Sequence, residues 1–259
     1  MDWNGVVEHN KEALKRILSR LFGMAAGVGG VLSPGDGEGL LRRARHSAVL
    51  RLLRPAESAV RRLIVVAARG MVVKVPPARP PKPKSMAPVL RSLGIAVVLS
   101  PADIARAAKA ARAAAARAAR PRLPSLPLLD PLKRFGPRRR YVPAHAAPRI
   151  WTLGMERTPL PLPPSPDDLI DAGRLGRRLQ ALASALDDLP AQARRFARWK
   201  ARRDRDRSDP ARRNSRSRTS PLRPGRAPGN LRKPTHEVHE VLKELHYFAF
   251  EAFHYPDTS

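Results

Sequence analysis

The sequence predicts a mainly α-helical protein, built of small helical modules separated by Pro-rich and Arg-rich disordered linkers. Three observations carry that prediction. Apolar residues recur at steps of three and four in several separate stretches, the period of a helix buried on one side. The 28 prolines of the 259-residue chain fall in clusters between those stretches, where regular helix is broken. Aromatics are only 5% of residues and the net charge is +28, so the intervening segments lack the apolar surface that offsets the entropy of ordering.

An N-terminal helical module is expected over residues 1–75. Between Asp2 and Ala25, the residues Trp3, Val6, Val7, Leu14, Ile17, Leu18, Leu21 and Phe22 line one side of an amphipathic helix. Glycines in GVGGVLSPGDGEG end it. A second helical pattern covers Leu40 to Arg54, and Pro55 suits the first position of a third helix capped near Gly70. Residues 76–99 read as a Pro-rich linker with a short apolar segment. Residues 100–120 form an Ala-rich helix, with Ser100 as N-cap, Pro101 at the first position and Asp103 three residues after the cap. Its Arg106, Lys109, Arg112, Arg117 and Arg120 fall on one broad face.

Residues 121–166 are a second Pro-rich linker, in which LPLLDPLKRF and Trp151 are adhesive points. Residues 167–204 are a long helix or a kinked helix pair: Ser165, Pro166 and Asp168 repeat the cap logic, and Pro190 kinks the run or starts a new helix. Its seam, Ala172, Leu175, Leu179, Leu182, Leu186, Leu189, Ala193 and Phe196, is expected to pack on the Val238–Phe253 face of a C-terminal amphipathic helix over 235–255. Leu175, Leu179, Leu182 and Leu186 also offer a surface for helix–helix self-association. The basic residues 205–234 between them read as a disordered linker.

There is no cysteine, which excludes disulfides, thiolate metal sites and cysteine nucleophiles. The apolar run from Leu21 to Leu32 is shorter than the ~20 residues of a membrane span. With Glu8 and Glu12 ahead of it, it does not suit a secretory leader. Cytoplasmic residence is expected, with membrane-peripheral association as an alternative. No phosphate loop or nucleophile elbow occurs; the reading leans away from an enzyme, and no cofactor is expected.

Two stretches carry candidate sites. Between Arg194 and Lys233 stand sixteen basic residues against Asp204, Asp206 and Asp209. Arg194, Arg195, Arg198, Lys200, Arg202, Arg203, Arg212, Arg213, Arg216 and Arg218 are candidates for phosphate contact, and Trp199 for stacking on an unpaired base. The second stretch, PTHEVHEVLKELHYFAFEAFHY, holds four histidines. On a helical projection they lie opposite the apolar face, and His239 and His246 are two turns, about 10.5 Å, apart, too far for one zinc. His236, His239 and Glu240 are left as a weak metal-ligand set; solvated histidines are the better account.

The segments SAVRRLIVVAARG, LLDPLKRFG, DLPAQARRFARWKARR and RPGRAPGNLRKPTHEVHEVL resemble parts of an uncharacterised protein family of GC-rich bacteria. That resemblance implies a bacterial cytoplasmic protein and transfers no activity, fold or binding residue. The sequence therefore points to a non-enzymatic, basic binding or adaptor protein contacting nucleic acid or another polyanion electrostatically. One alternative is a peripheral protein that lays its N-terminal amphipathic helix on an anionic membrane surface; another is a weak metal-binding protein.

Overall fold

The computed structural model describes residues 2–26, 39–74, 92–94, 101–119, 125–131, 163–208, 220–231 and 233–254. Of these, 71% lie in six helices, so the protein is mainly α. The chain divides into a first unit, residues 1–74 and 124–259, and a second, residues 75–123. In the second unit the described part is residues 92–94 and the Ala-rich helix α3 (Pro101–Ala119). Ile104 of α3 is exposed, and Arg106 pairs with Asp103 at 3.1 Å. Ser100 and Arg120 lie outside the described residues.

In the first unit, helix α1 (Trp3–Ala26) starts where Asp2 Oδ1 accepts the amides of Asn4 and Gly5 at 3.1 and 3.0 Å, an N-cap that satisfies two otherwise orphan donors. Ala13, Leu14, Ile17, Leu18 and Leu21 are buried. Asn10 is buried in the same seam and is held by Nδ2 hydrogen bonds to the Val6 carbonyl and to Glu244 Oε1, at 3.0 and 3.2 Å.

The expected break at Pro55 is absent. Leu40–Arg42 is a short strand, β1, and one continuous helix, α2, runs over Arg43–Ala67 with Pro55 inside it. Proline inside a helix costs roughly 3 kcal/mol or more, and here tertiary packing outweighs that cost. Every residue from Pro55 to Val66 is buried, because α2 is the central rod, most extensively covered by α1 and by α6 (Glu237–His254), and also touched by α4 (Gly173–Asp187) and α5 (Leu189–Ser208).

A second difference concerns Ser165 and Asp168. They do make cap-like contacts: the Ser165 amide donates to Asp168 Oδ2 at 2.8 Å, and the Asp167 amide to Ser165 Oγ at 3.3 Å. These close a turn rather than start a helix. The next residues, Leu169–Asp171, form β2, which pairs antiparallel with β1, Leu41 opposite Ile170. Helix α4 begins only at Gly173, whose amide donates to Asp171 Oδ1 at 2.7 Å.

The leucine seam finds other partners than those expected. Leu175, Leu179, Leu182 and Leu186 are all buried in the first unit's own core, where α4 meets α1, α2 and α5, while α6 closes over α2. Two pieces of the expected linkers are also packed rather than loose. Leu126 and Asp130 in 125–131, and Leu222 and Ala227 in 220–231, are buried, and the Asp130 amide donates to the Pro221 carbonyl at 3.1 Å. Gly229 (φ +83°) lies directly against α2: a Cβ there would stand 2.7 Å from the Pro55 nitrogen. Trp151 and most of the two Pro-rich stretches lie outside the described residues.

Candidate nucleic-acid interface

Helix α5 begins at a cap: Asp188 Oδ1 accepts the Ala191 amide at 3.2 Å. Leu189, Ala193, Phe196 and Ala197 turn into the core. The helical period then carries Arg194, Arg195, Arg198 and Arg202 to the outer side, where all four are exposed, as is Arg207. Successive steps from Arg194 to Arg198 to Arg202 rise about 6 Å each. Among the described residues, none of these three pairs with a carboxylate. Arg195 lies against the core: its terminal nitrogen donates to the Leu126 carbonyl and to Gln192 Oε1, at 3.0 and 3.2 Å.

Three further candidates serve packing. Trp199 is half-buried against Phe196, ring centroids 5.6 Å apart. Arg203 is buried, its guanidinium 5.3 Å from the Trp199 ring and 4.9 Å from the Phe253 ring, and it pairs with Asp204 at 2.6 Å. Lys200 stands 5.6 Å from the Phe253 ring. These cation–aromatic contacts tie α5 to α6. Arg212, Arg213, Arg216 and Arg218 lie outside the described residues.

Around the buried half of α2 lies an ion network that the sequence reading did not anticipate. Arg62, fully buried, donates to Asp130 Oδ2 at 2.8 Å and Oδ1 at 3.3 Å, to Ser58 Oγ at 2.7 Å, and to the Ser58 carbonyl at 2.9 Å. Arg61 donates to Asp130 Oδ1 at 3.3 Å, to Glu57 Oε2 at 3.5 Å and to the Pro127 carbonyl at 3.1 Å. Burial pulls the Arg61 guanidinium below the ordinary arginine range, against the opposing pull of Asp130 and Glu57. Arg178 of α4 grips Glu57 with two bonds of 2.8 and 3.0 Å. The Arg223 amide also donates to Asp130 Oδ2, at 3.1 Å. Two carboxylates thus join α2, α4, 125–131 and 220–231 into one scaffold.

The histidines divide differently from the helical projection. His236 acts as a cap: its Nδ1 accepts the Val238 amide at 3.1 Å. His239 is buried at 2% exposure rather than solvated; burial, then the nearby His236, lower its pKa. The ring of His246 reaches the network, with Arg62 Nε donating to Nδ1 at 3.1 Å. Burial, then the Arg62 charge, lower its pKa, while a hydrogen bond to the Gly225 backbone and Asp130 pull the other way. Among the described residues no group of three His, Cys, Asp or Glu is placed to hold a metal ion. His236, His239 and Glu240 form no such group.

The one sequence signal for the network was Arg61–Arg62 followed by Leu-Ile-Val-Val. An apolar run that wide is buried on every side, and adjacent charges within it need partners. Those partners, Asp130, Glu57, Arg178 and His246, are scattered along the chain, with 184 positions between Arg62 and His246.

The apolar face of α1 is packed against the protein's own helices. Among the described residues no helix is long and apolar enough to cross a membrane. No family model, curated protein or solved structure matches this chain.

Proposed function

We infer that the protein is a non-enzymatic, basic binding protein that holds nucleic acid by its phosphate backbone along the outer face of α5. One observation carries the reading: Arg194, Arg198 and Arg202 stand exposed at one-turn intervals on a helix whose opposite face is locked into the core. The planar fork of arginine loses little side-chain freedom per hydrogen bond, and each phosphate neutralised releases condensed counterions. The sequence adds Arg212, Arg213, Arg216 and Arg218 shortly after α5, further positive charge for a polyanion. Such binding is insensitive to base sequence, because backbone contacts position a protein without reading bases.

Titration of the protein against random duplex DNA over a range of salt tests this. Affinity is expected to fall steeply and log-linearly with salt, and the triple variant R194Q/R198Q/R202Q to flatten the slope by roughly 2–3. Absence of association at low salt, or a triple variant with an unchanged slope, overturns the reading.

A further inference from the structure

A cleft of about 250 Å³ opens between the start of α4 and residues 125–127, and none of Arg194, Arg198 and Arg202 lines it. Its walls include Glu57, Ser125, Leu126, Arg174, Arg177 and Arg178. We propose that this cleft is a binding site for a dianionic phosphoryl group, either free phosphate or the terminal phosphate of a larger molecule.

The charge arrangement argues for an anion. The one carboxylate in the wall, Glu57, has both oxygens engaged by Arg178, at 2.8 and 3.0 Å, with Arg61 on Oε2 at 3.5 Å. Its charge is neutralised within the scaffold and offers no counterion to the mouth. Arg174 and Arg177 are exposed at that mouth, and among the described residues neither has a carboxylate partner. Two free guanidiniums match two negative charges, and their planar forks suit the paired oxygens of a phosphoryl group. The Ser125 hydroxyl adds a further donor at the rim.

Size and rigidity agree. At about 30 Å³ per water the cleft holds roughly eight waters, enough for a tetrahedral oxyanion and part of its carrier beside the exposed Pro127. The wall is fixed on both flanks, because Arg195 donates to the Leu126 carbonyl and Arg61 to the Pro127 carbonyl, at 3.0 and 3.1 Å. The arginines therefore meet a preorganised surface rather than a loop that must be ordered first.

The test uses the full chain, with inorganic phosphate against chloride at matched ionic strength and melting temperature as the readout. A saturable rise of roughly 3–6 °C at ten times the dissociation constant is expected. R174A/R177A, at two exposed positions, is expected to weaken phosphate binding about tenfold or more, whereas R194Q/R198Q/R202Q leaves it unchanged. A second arm compares 5′-phosphorylated with unphosphorylated single-stranded oligonucleotide of one sequence. Tighter binding of the phosphorylated strand identifies a nucleic-acid end as the source; equal binding alongside a saturable phosphate response identifies a free or small-molecule phosphate. No response to phosphate beyond ionic strength, or an equal response in R174A/R177A, overturns the proposal without touching the reading of α5.

Discussion

Asp130 joins three parts of the first unit, since it accepts from Arg61, Arg62 and the Arg223 amide together. Asp130→Ala leaves the fully buried Arg62 without its carboxylate and Arg61 with Glu57 alone, and removal of one partner from a buried pair costs roughly 3–5 kcal/mol. Against a total stability of about 5–15 kcal/mol, urea denaturation of this variant is expected to show a large drop in midpoint or no folded baseline.

His246 gives the same region a pH dependence. Its folded-state pKa lies below the ordinary 6.5, so at acid pH the unfolded chain takes up a proton that the folded one resists. Stability is then full above pH about 6.5 and falls as the pH drops through the folded pKa. His46, lowered by burial and by Arg178 and Arg43, and His239 act in the same direction. The melting temperature is expected to decline between pH 7 and pH 5, and to decline less in His246→Gln, which keeps an acceptor for Arg62 but takes up no proton. An equal decline in both proteins removes His246 from the account.

Among the helices, the faces were legible and the partners were not. The three- and four-residue spacing located α1, α3, α5 and α6 because each is buried on one side or rich in alanine, and the period records that directly. The end of α2 carries no such period, being covered all round, and Pro55 imitates a helix start because its missing N–H is equally at home there. Gly229 shows how the proline is accommodated: irregular backbone at 220–231 packs against the helix at the position where no amide projects. Gly229→Ala places a Cβ 2.7 Å from the Pro55 nitrogen at φ +83°, whereas Gly225→Ala, at φ +77°, meets nothing within 4 Å. Both variants bear the positive-φ penalty of about 1 kcal/mol, and only the first forces α2 and 220–231 apart. Thermal denaturation is expected to rank Gly229→Ala well below Gly225→Ala; equal melting temperatures would show that the close approach is relaxed in solution. Ser165 and Asp168 were misread for a related reason: the same side-chain-to-amide bonds close a turn or a helix start, and the choice falls to β1, a strand more than a hundred positions away.

For the whole first unit, composition described the inventory and concealed the assembly. Low aromatic content and clustered proline suggested separate modules, yet helices from both ends of the chain close over α2, and the buried Asp130 lies in a segment that looks like a linker. The exposed arginines of α5 were legible from charge density; the cleft at Arg174 and Arg177 was not, because Glu57 and Ser125 reach it from distant sequence. One core implies one transition. Leu242→Ala, at a fully buried position on α6, is expected to cost roughly 2–5 kcal/mol and to lower the melting of α1 and α2 as well. Hydrogen exchange resolved by segment checks this: if α1 and α2 keep their protection while α6 alone loosens, the helices are independent.

The 184 positions between Arg62 and His246 set a timetable for biosynthesis. A ribosome adding about 5–20 residues per second needs roughly ten to forty seconds to make the strand of chain between them. Throughout that interval the nascent polypeptide carries an apolar rod that lacks the cover of α6, a state suited to chaperone capture.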